Sequence, residues 1–263
     1  YNKIVDLTSD SDKLYVASEN AVFVYNHNTY QLNTITSLDG LSGEAISSLA
    51  YSKDWNTLLI GYETGLIETV NLENGAVKTY IDIVDKHTIQ PNKKKINHFS
   101  VYENLAYVST DYGISVLNLS RQEFGDTYYI GYLGSHLAVN QAQIHGDYIY
   151  AATIEGVKRA SFSSGSLIDY SLWLTIKEGE YRKLQQLENQ LYALKDTDQI
   201  EKLNNNTFEH IYTHDTEIKG MTASNSHLLF FTHDNAFAYS PDFQSESFYS
   251  IYGTEHAWTT FNS

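Results

Sequence analysis

One pattern occurs six times along this chain, and it limits the fold more than any single residue does. An apolar run, an acidic turn that often holds a Gly, and a second apolar run recur as KLYVASENAVFVYN, TLLIGYETGLIETVN, LAYVSTDYGISVLN, YIYAATIEGVKRAS, QLYALKDTDQIEKLN and HLLFFTHDNAFAYS. Their acidic turn residues, Glu19, Glu63, Asp111, Glu155, Asp196 and Asp234, follow one another at intervals of 44, 48, 44, 41 and 38 residues. Self-similarity at that period is the mark of propeller blades. The reading is an all-β propeller of four-stranded blades occupying residues 1–263 as one domain. Its units span about 2–40, 41–84, 93–130, 136–176, 180–216 and 217–253.

Each unit divides into four strands. In the second, AISSLAYS, TLLIGY, GLIETVNL and AVKTYIDI follow in order, the last after the Asn74-Gly75 turn. Asn-Gly supplies the backbone freedom that a tight hairpin needs. The second strands are apolar over consecutive positions, which predicts burial on both faces. The fourth strands, such as FEHIYTHD and SESFYSIY, alternate apolar and polar residues and suit an outer, half-exposed place. No capped helical stripe runs for three turns; Tyr181 to Glu188 fits best as the first strand of the fifth unit. Pro91 and Pro241 both fall between predicted strands.

Residues 254–263 are read as a closing strand or as the start of a further blade. A six-bladed ring would use this tail to close. An open ring would leave strand edges unpaired; the favoured reading is seven blades, the rest of the last one coming from further chain, because the sequence stops just as HAWTTFNS begins a unit. On that reading, and without an initiator Met, the chain is expected to be a piece of a longer protein.

Composition narrows the partners. Lys and Arg number 17 against 32 Asp and Glu, a net charge of −15. Such a surface repels phosphate backbones and anionic bilayers, so nucleic acid and unassisted membrane docking are excluded. Cys is absent, which removes disulfides, Cys-ligated zinc and a Cys nucleophile. No apolar run is long enough to span a bilayer, and no signal peptide is present.

Units two to four carry more specific residues. LDGLSGEAISSLAY, LLIGYETGLIETVNL, KKINHF, LAYVSTDYGISVLNL, DTYYIG and IYAATIEGVKRA resemble the N-terminal propeller of the PorZ family of the Bacteroidetes type IX secretion system. The resemblance covers about Asp39 to Trp173. It implies a cell-surface, outer-membrane-associated location. It also implies sortase-like and shuttle partners, and a role in delivering anionic lipopolysaccharide to the sortase. It further implies a second propeller and a sorting domain beyond this chain. The family brings no catalytic motif to these residues, so a non-enzymatic recognition and scaffold domain without cofactors is expected. An alternative resemblance is to the periplasmic "two-component regulator" propellers of hybrid sensor kinases, through Gly61, Gly65 and Gly113. A carbohydrate-active enzyme is a third reading.

Candidate sites follow from placement. The six acidic turns are expected on the same face as the blade-to-blade connections, as an electrostatic collar or as simple turn chemistry. A ring so wide cannot gather the close oxygens of a hard cation. The connections LDGLSGEA, IDIVDKHTIQPNKKK and YIGYLGSHLAVN are long enough to carry recognition. Lys86, Lys93, Lys94 and Lys95 on one of them are read as a solvated loop or as a contact for an anionic glycan. Trp55, Trp173 and Trp258 are candidates for sugar stacking, against packing. His233 is a candidate on the recognition face. His210 and His214, beside Asp215, lie too far apart along a strand to share a metal, and no metal site is expected. Ser163-Ser164-Gly165 is read as a hairpin turn, not a nucleophile elbow.

Overall fold

The computed structural model describes residues 3–250, apart from 165, 225, 234, 242, 244 and 245. It consists of six four-stranded antiparallel sheets, each made of four strands consecutive in sequence. They are the blades of a six-bladed β-propeller. The first holds β1–β4 (Ile4–Ser9, Lys13–Ser18, Ala21–Asn26, Gln31–Ile35) and the second β5–β8 (Ile46–Ser52, Thr57–Tyr62, Ile67–Asn71, Val77–Tyr80). The third holds β9–β12 (Ile96–Tyr102, Leu105–Thr110, Gly113–Asn118, Glu123–Tyr128) and the fourth β13–β16 (Val139–His145, Tyr148–Thr153, Gly156–Ser161, Leu174–Glu178). The fifth holds β17–β20 (Tyr181–Leu187, Gln190–Lys195, Gln199–Asn204, Thr207–Thr213) and the sixth β21–β24 (Gly220–Ser224, His227–Phe231, Asn235–Tyr239, Glu246–Ser250).

The described residues make up six blades, and the segment on which closure turns in the sequence, 254–263, lies beyond them. First-strand residues of all six blades, from Asp6 in β1 to Met221 and Thr222 in β21, line one axial cavity. The tail 254–263, Trp258 included, lies outside the described residues.

The core is not a single mass. It is a set of separate apolar layers, one between each consecutive pair of blades. Tyr15, Ala17 and Val22 of the first blade meet Leu49, Leu58 and Ile60 of the second. Four further layers join blades two and three, three and four, four and five, and five and six. The period-2 pleat explains the continuous apolar second strands. In β6, Leu58, Ile60 and Tyr62 face the first blade while Leu59 faces the third. In β14, Ile149 and Ala151 face the third blade while Tyr150 and Ala152 face the fifth. Both faces of the strand are buried, so the side chains between its ends are apolar. Each large side chain so buried contributes about 1.5–3 kcal/mol.

The blades approach closely enough to dictate one residue. A Cβ at Gly61 would lie 2.5 Å from Ile96 Cγ2 and 2.7 Å from Ile96 Cβ. Only Gly fits there, because Ile96 is fully buried and has nowhere to move.

A β-bulge recurs near the start of the first strand in blades one to five. The registers shift between Ile4 and Asp6, Ile46 and Ser48, Ile96 and His98, Val139 and Gln141, and Tyr181 and Lys183. The extra residue is left unpaired in its own ladder, and in four blades its side chain reaches the next one. Ser47 Oγ donates to Ile96 O at 2.7 Å, Asn97 Nδ2 to Val139 O at 3.0 Å, and Asn140 Nδ2 to Tyr181 O at 2.7 Å. Arg182 Nη1 donates to Glu217 Oε1 at 3.1 Å, on the approach to the sixth blade. In the first blade the bulged residue is Val5, which packs into the apolar layer instead.

Gly61→Ala should lower unfolding free energy by about 2 kcal/mol, the scale of overpacking a core. Gly146→Ala, where a Cβ meets nothing within 4 Å, should cost less, through its positive φ alone. Urea titration of the two variants measures the difference; equal losses would mean that the second and third blades can separate to admit a methyl group.

Candidate recognition face and axial channel

Antiparallel pairing fixes which loops share a face. The start of each first strand pairs with the end of the second strand, so the turns after the second strands and the blade-to-blade connections lie at one end of the ring. Backbone bonds stitch them together. Ile46 N donates to Glu19 O at 2.7 Å, Glu63 N to Ala45 O at 3.0 Å, and Asp196 N to Glu180 O at 2.8 Å. Asn97 Nδ2 donates to the Asp111 carboxylate at 2.8 Å. Glu19 and Asp196 take left-handed φ values of 53° and 52°, which a turn requires. Glu155 is exposed in its turn, and its N–H donates to Thr153 Oγ1 at 3.1 Å. The Glu63 carboxylate pairs with Lys95 at 2.9 Å. Asp234 lies outside the described residues. Among the described residues no three His, Asp or Glu side chains are grouped to hold a metal ion.

The lysine connection is not uniformly solvated, contrary to that reading. Lys93 is exposed at the end of a 3-10 turn, Pro91–Lys93. Lys94 is buried, and its ammonium donates to the Val84 carbonyl. Lys86 Nζ donates to Thr127 Oγ1 at 3.1 Å, across to the third blade. Three of the four cations therefore have fixed partners within the fold.

Trp173 is core, not surface. It is 5% exposed, its Nε1 donates to Leu167 O at 2.9 Å, and it packs beside Tyr128. Trp55 is partly exposed at the edge of a groove of about 250 Å³, beside Asn74, Lys78 and Gln122. There Lys78 Nζ lies over the Tyr80 ring and donates to Gln122 O at 2.8 Å. His233 is exposed in the turn between β22 and β23. His210 bonds Thr213 at 3.0 Å, whereas His214 packs against Phe230 and Phe237. Ser163 belongs to a 3-10 turn, Phe162–Ser164, within the longer connection 162–173, and not to a tight hairpin.

The long connections are rigid. Leu41, Ile83 with Ile89, and Ile130 with Leu137 are buried in the layers between blades and anchor the three segments. Glu68 accepts from Ser42 N at 3.0 Å and from the Tyr62 hydroxyl, and so holds the GLSG segment down. Between these anchors, large apolar side chains face outward. Leu38 is 97% exposed, Tyr132 80% and Leu133 66%, and Ile81 and Ile154 are exposed on the same end of the ring. Leu133 has a φ of 53° at the tip of its turn, and Gly131 beneath it has no room for a Cβ, which would lie 2.5 Å from Ser135 O.

The axial channel escaped the sequence reading. In four blades the residue after the bulge points into it: Asp6, His98, Gln141 and Lys183. Its volume is about 320 Å³. Asp6 Oδ2 accepts from Leu49 N at 2.8 Å and from Ser48 Oγ at 3.3 Å, clasping the second blade. Gln141 Nε2 donates to Leu184 O at 2.7 Å, clasping the fifth. Burial pushes the Asp6 carboxyl above its ordinary range, opposed by Lys183 and by those hydrogen bonds. Burial, helped by Lys183, holds the His98 imidazole down at about 3. A sequence signal did exist: each first strand opens apolar, then two mostly polar residues (IVD, ISS, INH, VNQ, YRK).

The His98 shift makes stability pH-dependent. Folded His98 binds its proton far more weakly than unfolded His98, so its contribution is full above about pH 6.5 and is lost as pH falls toward 3. The slope from this one group is at most about 1.4 kcal/mol per pH unit. Asp6 acts oppositely, since its raised value means that acid relieves a buried charge. His98→Gln should therefore flatten the fall in Tm between pH 6.5 and pH 4; thermal melts across that range test it, and parallel curves would show that the imidazole is not enclosed.

Comparison with known families matches residues 14–174, more than half of the chain, to the N-terminal β-propeller domain of PorZ from the type IX secretion system. No curated protein matches the chain. Among solved structures, PorZ of Porphyromonas gingivalis, described as an essential bacterial surface component of the type IX secretion system, superposes with a TM-score of 0.79 at 16% identity. That alignment covers 95% of this chain and 33% of the PorZ chain, so the present chain spans about one third of its relative. A chain of the mitotic checkpoint complex superposes with a TM-score of 0.71 at 16% identity, covering 96% of this chain and 78% of that one. At such identities the superpositions speak to the fold alone. The match over 14–174 is what assigns the family: this chain belongs to the PorZ N-terminal β-propeller domains.

Proposed function

We propose that this propeller is a non-catalytic recognition and scaffold domain of a cell-surface type IX secretion component, working with sortase-like and shuttle partners. The observation that carries the reading is the family match over residues 14–174. The connection face supports it in kind. A protein partner needs apolar anchors on a rigid frame with a polar surround. Leu38, Ile81, Tyr132 and Leu133 are exposed between buried anchors on that face, among the acidic turns.

Delivery of an anionic lipopolysaccharide is the finer part of the proposal. The acidic turns oppose it, and Lys93 is the exposed lysine of the 81–95 connection that can favour it. The glycan contact is therefore assigned to Lys93 together with Lys95, whose salt bridge to Glu63 is partly exposed and worth little in water.

The decisive experiment is capture of the full-length parent from the outer membrane fraction, read by mass spectrometry. Recovery of sortase and shuttle components is the expected result. Recovery of a histidine kinase, or of cytoplasmic proteins alone, would overturn the reading. Tyr132→Ser with Leu133→Ser should reduce recovery several-fold at unchanged Tm, because neither side chain belongs to the core. Lys93→Ser with Lys95→Ser should weaken binding of purified anionic lipopolysaccharide; unchanged affinity would remove the glycan contact from this connection.

A further inference from the structure

We infer that the axial channel binds a small hydroxylated carboxylate, of the size of one sugar acid, with Lys183 as its anchor. Four observations converge on this, and none depends on the secretion reading. The first is space. A cavity of about 320 Å³ lies on the axis, at the small end of the range of ligand sites. The first strands of all six blades build its wall, so it is as rigid as the ring itself.

The second is charge. Among the residues lining the cavity Lys183 is the one Lys or Arg. It makes no salt bridge with a described residue; the ion pairs among those residues use Lys95, Arg121, Arg182, Lys195 and Lys219. Its three N–H donors are uncommitted among the described residues. The carboxylate in the cavity wall, Asp6, is already engaged with Leu7 N, Leu49 N and Ser48 Oγ. Its place is set by the joint between the first two blades, not by Lys183.

The third is an orphan. His98 lines the cavity, and its Nδ1, shut off from solvent, has no hydrogen-bond partner among the described residues. An unmade bond at a buried polar atom costs about 1–3 kcal/mol, and a turn of the ring that brings Nδ1 to the cavity lets a bound hydroxyl remove that cost. The fourth is the rest of the wall. Thr8 and Thr222 offer hydroxyls, while Leu49, Phe99 and Met221 offer apolar surface. An ammonium beside an imidazole nitrogen and two threonines suits one anionic oxygen pair and several hydroxyls, with the C–H face of a small ring against the apolar side. The carboxylates of the turns repel anions from outside, but screening cuts their reach to about 8 Å at physiological salt. Inside the channel the charges nearest a ligand are Lys183 and Asp6, and Asp6 is already engaged by the hydrogen bonds of the blade joint.

The test uses the intact propeller and D-glucuronate as probe, by calorimetric or NMR titration, with D-glucose and inorganic phosphate as comparators. Saturable binding of glucuronate is expected, at least tenfold tighter than glucose or phosphate. Lys183→Met should abolish it, Lys183→Arg should keep it within a few-fold, and His98→Phe should weaken it several-fold. Bound glucuronate should also protect Lys183 of the unmutated protein from acylation, which keeps the test open where a variant does not fold. No saturation at tens of millimolar glucuronate, equal binding by Lys183→Met, or no protection of Lys183 would each overturn the site. Phosphate binding as tightly as glucuronate would overturn the hydroxylated-carboxylate assignment.

Discussion

Everything in this structure depends on sheets packing face against face. A four-stranded sheet with two apolar faces has no stable existence in water, and blades two to five here are each covered by a neighbour on both sides. The burial is local and repeated: each layer draws on two adjacent blades and on the connection that joins them. Stability in such an array is close to a sum of neighbour terms. A fault at one joint, such as a methyl group at Gly61, is therefore felt between the second and third blades before it is felt elsewhere. The distance between blades is set by side-chain volume, which is why a glycine faces Ile96 where the second strand of one blade meets the first strand of the next.

The bulges convert this packing into a channel. A regular first strand would send alternate residues into the layers on either side. One extra residue near the start breaks that alternation and frees a side chain to bond the next blade, as Ser47, Asn97 and Asn140 do. The following residue is turned toward the axis. Six apolar residues there would fill the axis and leave no site. Asp6, His98, Gln141 and Lys183 instead leave it open and polar. Two of them, Asp6 and Gln141, also tie blades together, so the geometry of the channel wall and the integrity of the ring rest on the same bonds.

Much of this was legible in the sequence, because period and pleat are one-dimensional properties. The six repeats, the strand TLLIGY and the hairpin at Asn74-Gly75 all follow from spacing and turn chemistry, and the structure has them in place. What escaped was set by third dimensions. Lys94 reads as one of three loop lysines, yet the connection folds back so that its ammonium meets the Val84 carbonyl. Trp173 reads as a candidate for stacking on sugar, yet it follows a 3-10 turn that drives it under Leu167. The polar residues in the middle of third strands have no place in the apolar pattern. Glu68, Ser115 and Lys158 in fact occupy one repeated position, each bonded to a threonine of the fourth strand: Thr79, Thr127 and Thr175. A repeat aligned by its apolar positions hides such a column, because the residue type changes from acid to hydroxyl to base while the partner stays.

Charge divides the molecule in a way that composition alone does not show. The net charge of −15 is a sum over the whole chain, and on the surface the carboxylates of the turns shape the field around the connection face. Within the ring the balance differs: Lys183 and Asp6 face one cavity, with His98 held neutral between pH 5 and pH 8 by its enclosure. On the proposed reading the surface field would act on what arrives at the face, and apolar anchors such as Leu38 and Tyr132 on what stays. The channel is lined by a different set, among them Asp6, His98, Gln141 and Lys183, whose positions are fixed by the bulges. A recognition surface and a small-molecule site can thus occupy one propeller without competing for residues, the first carried by connections and the second by first strands.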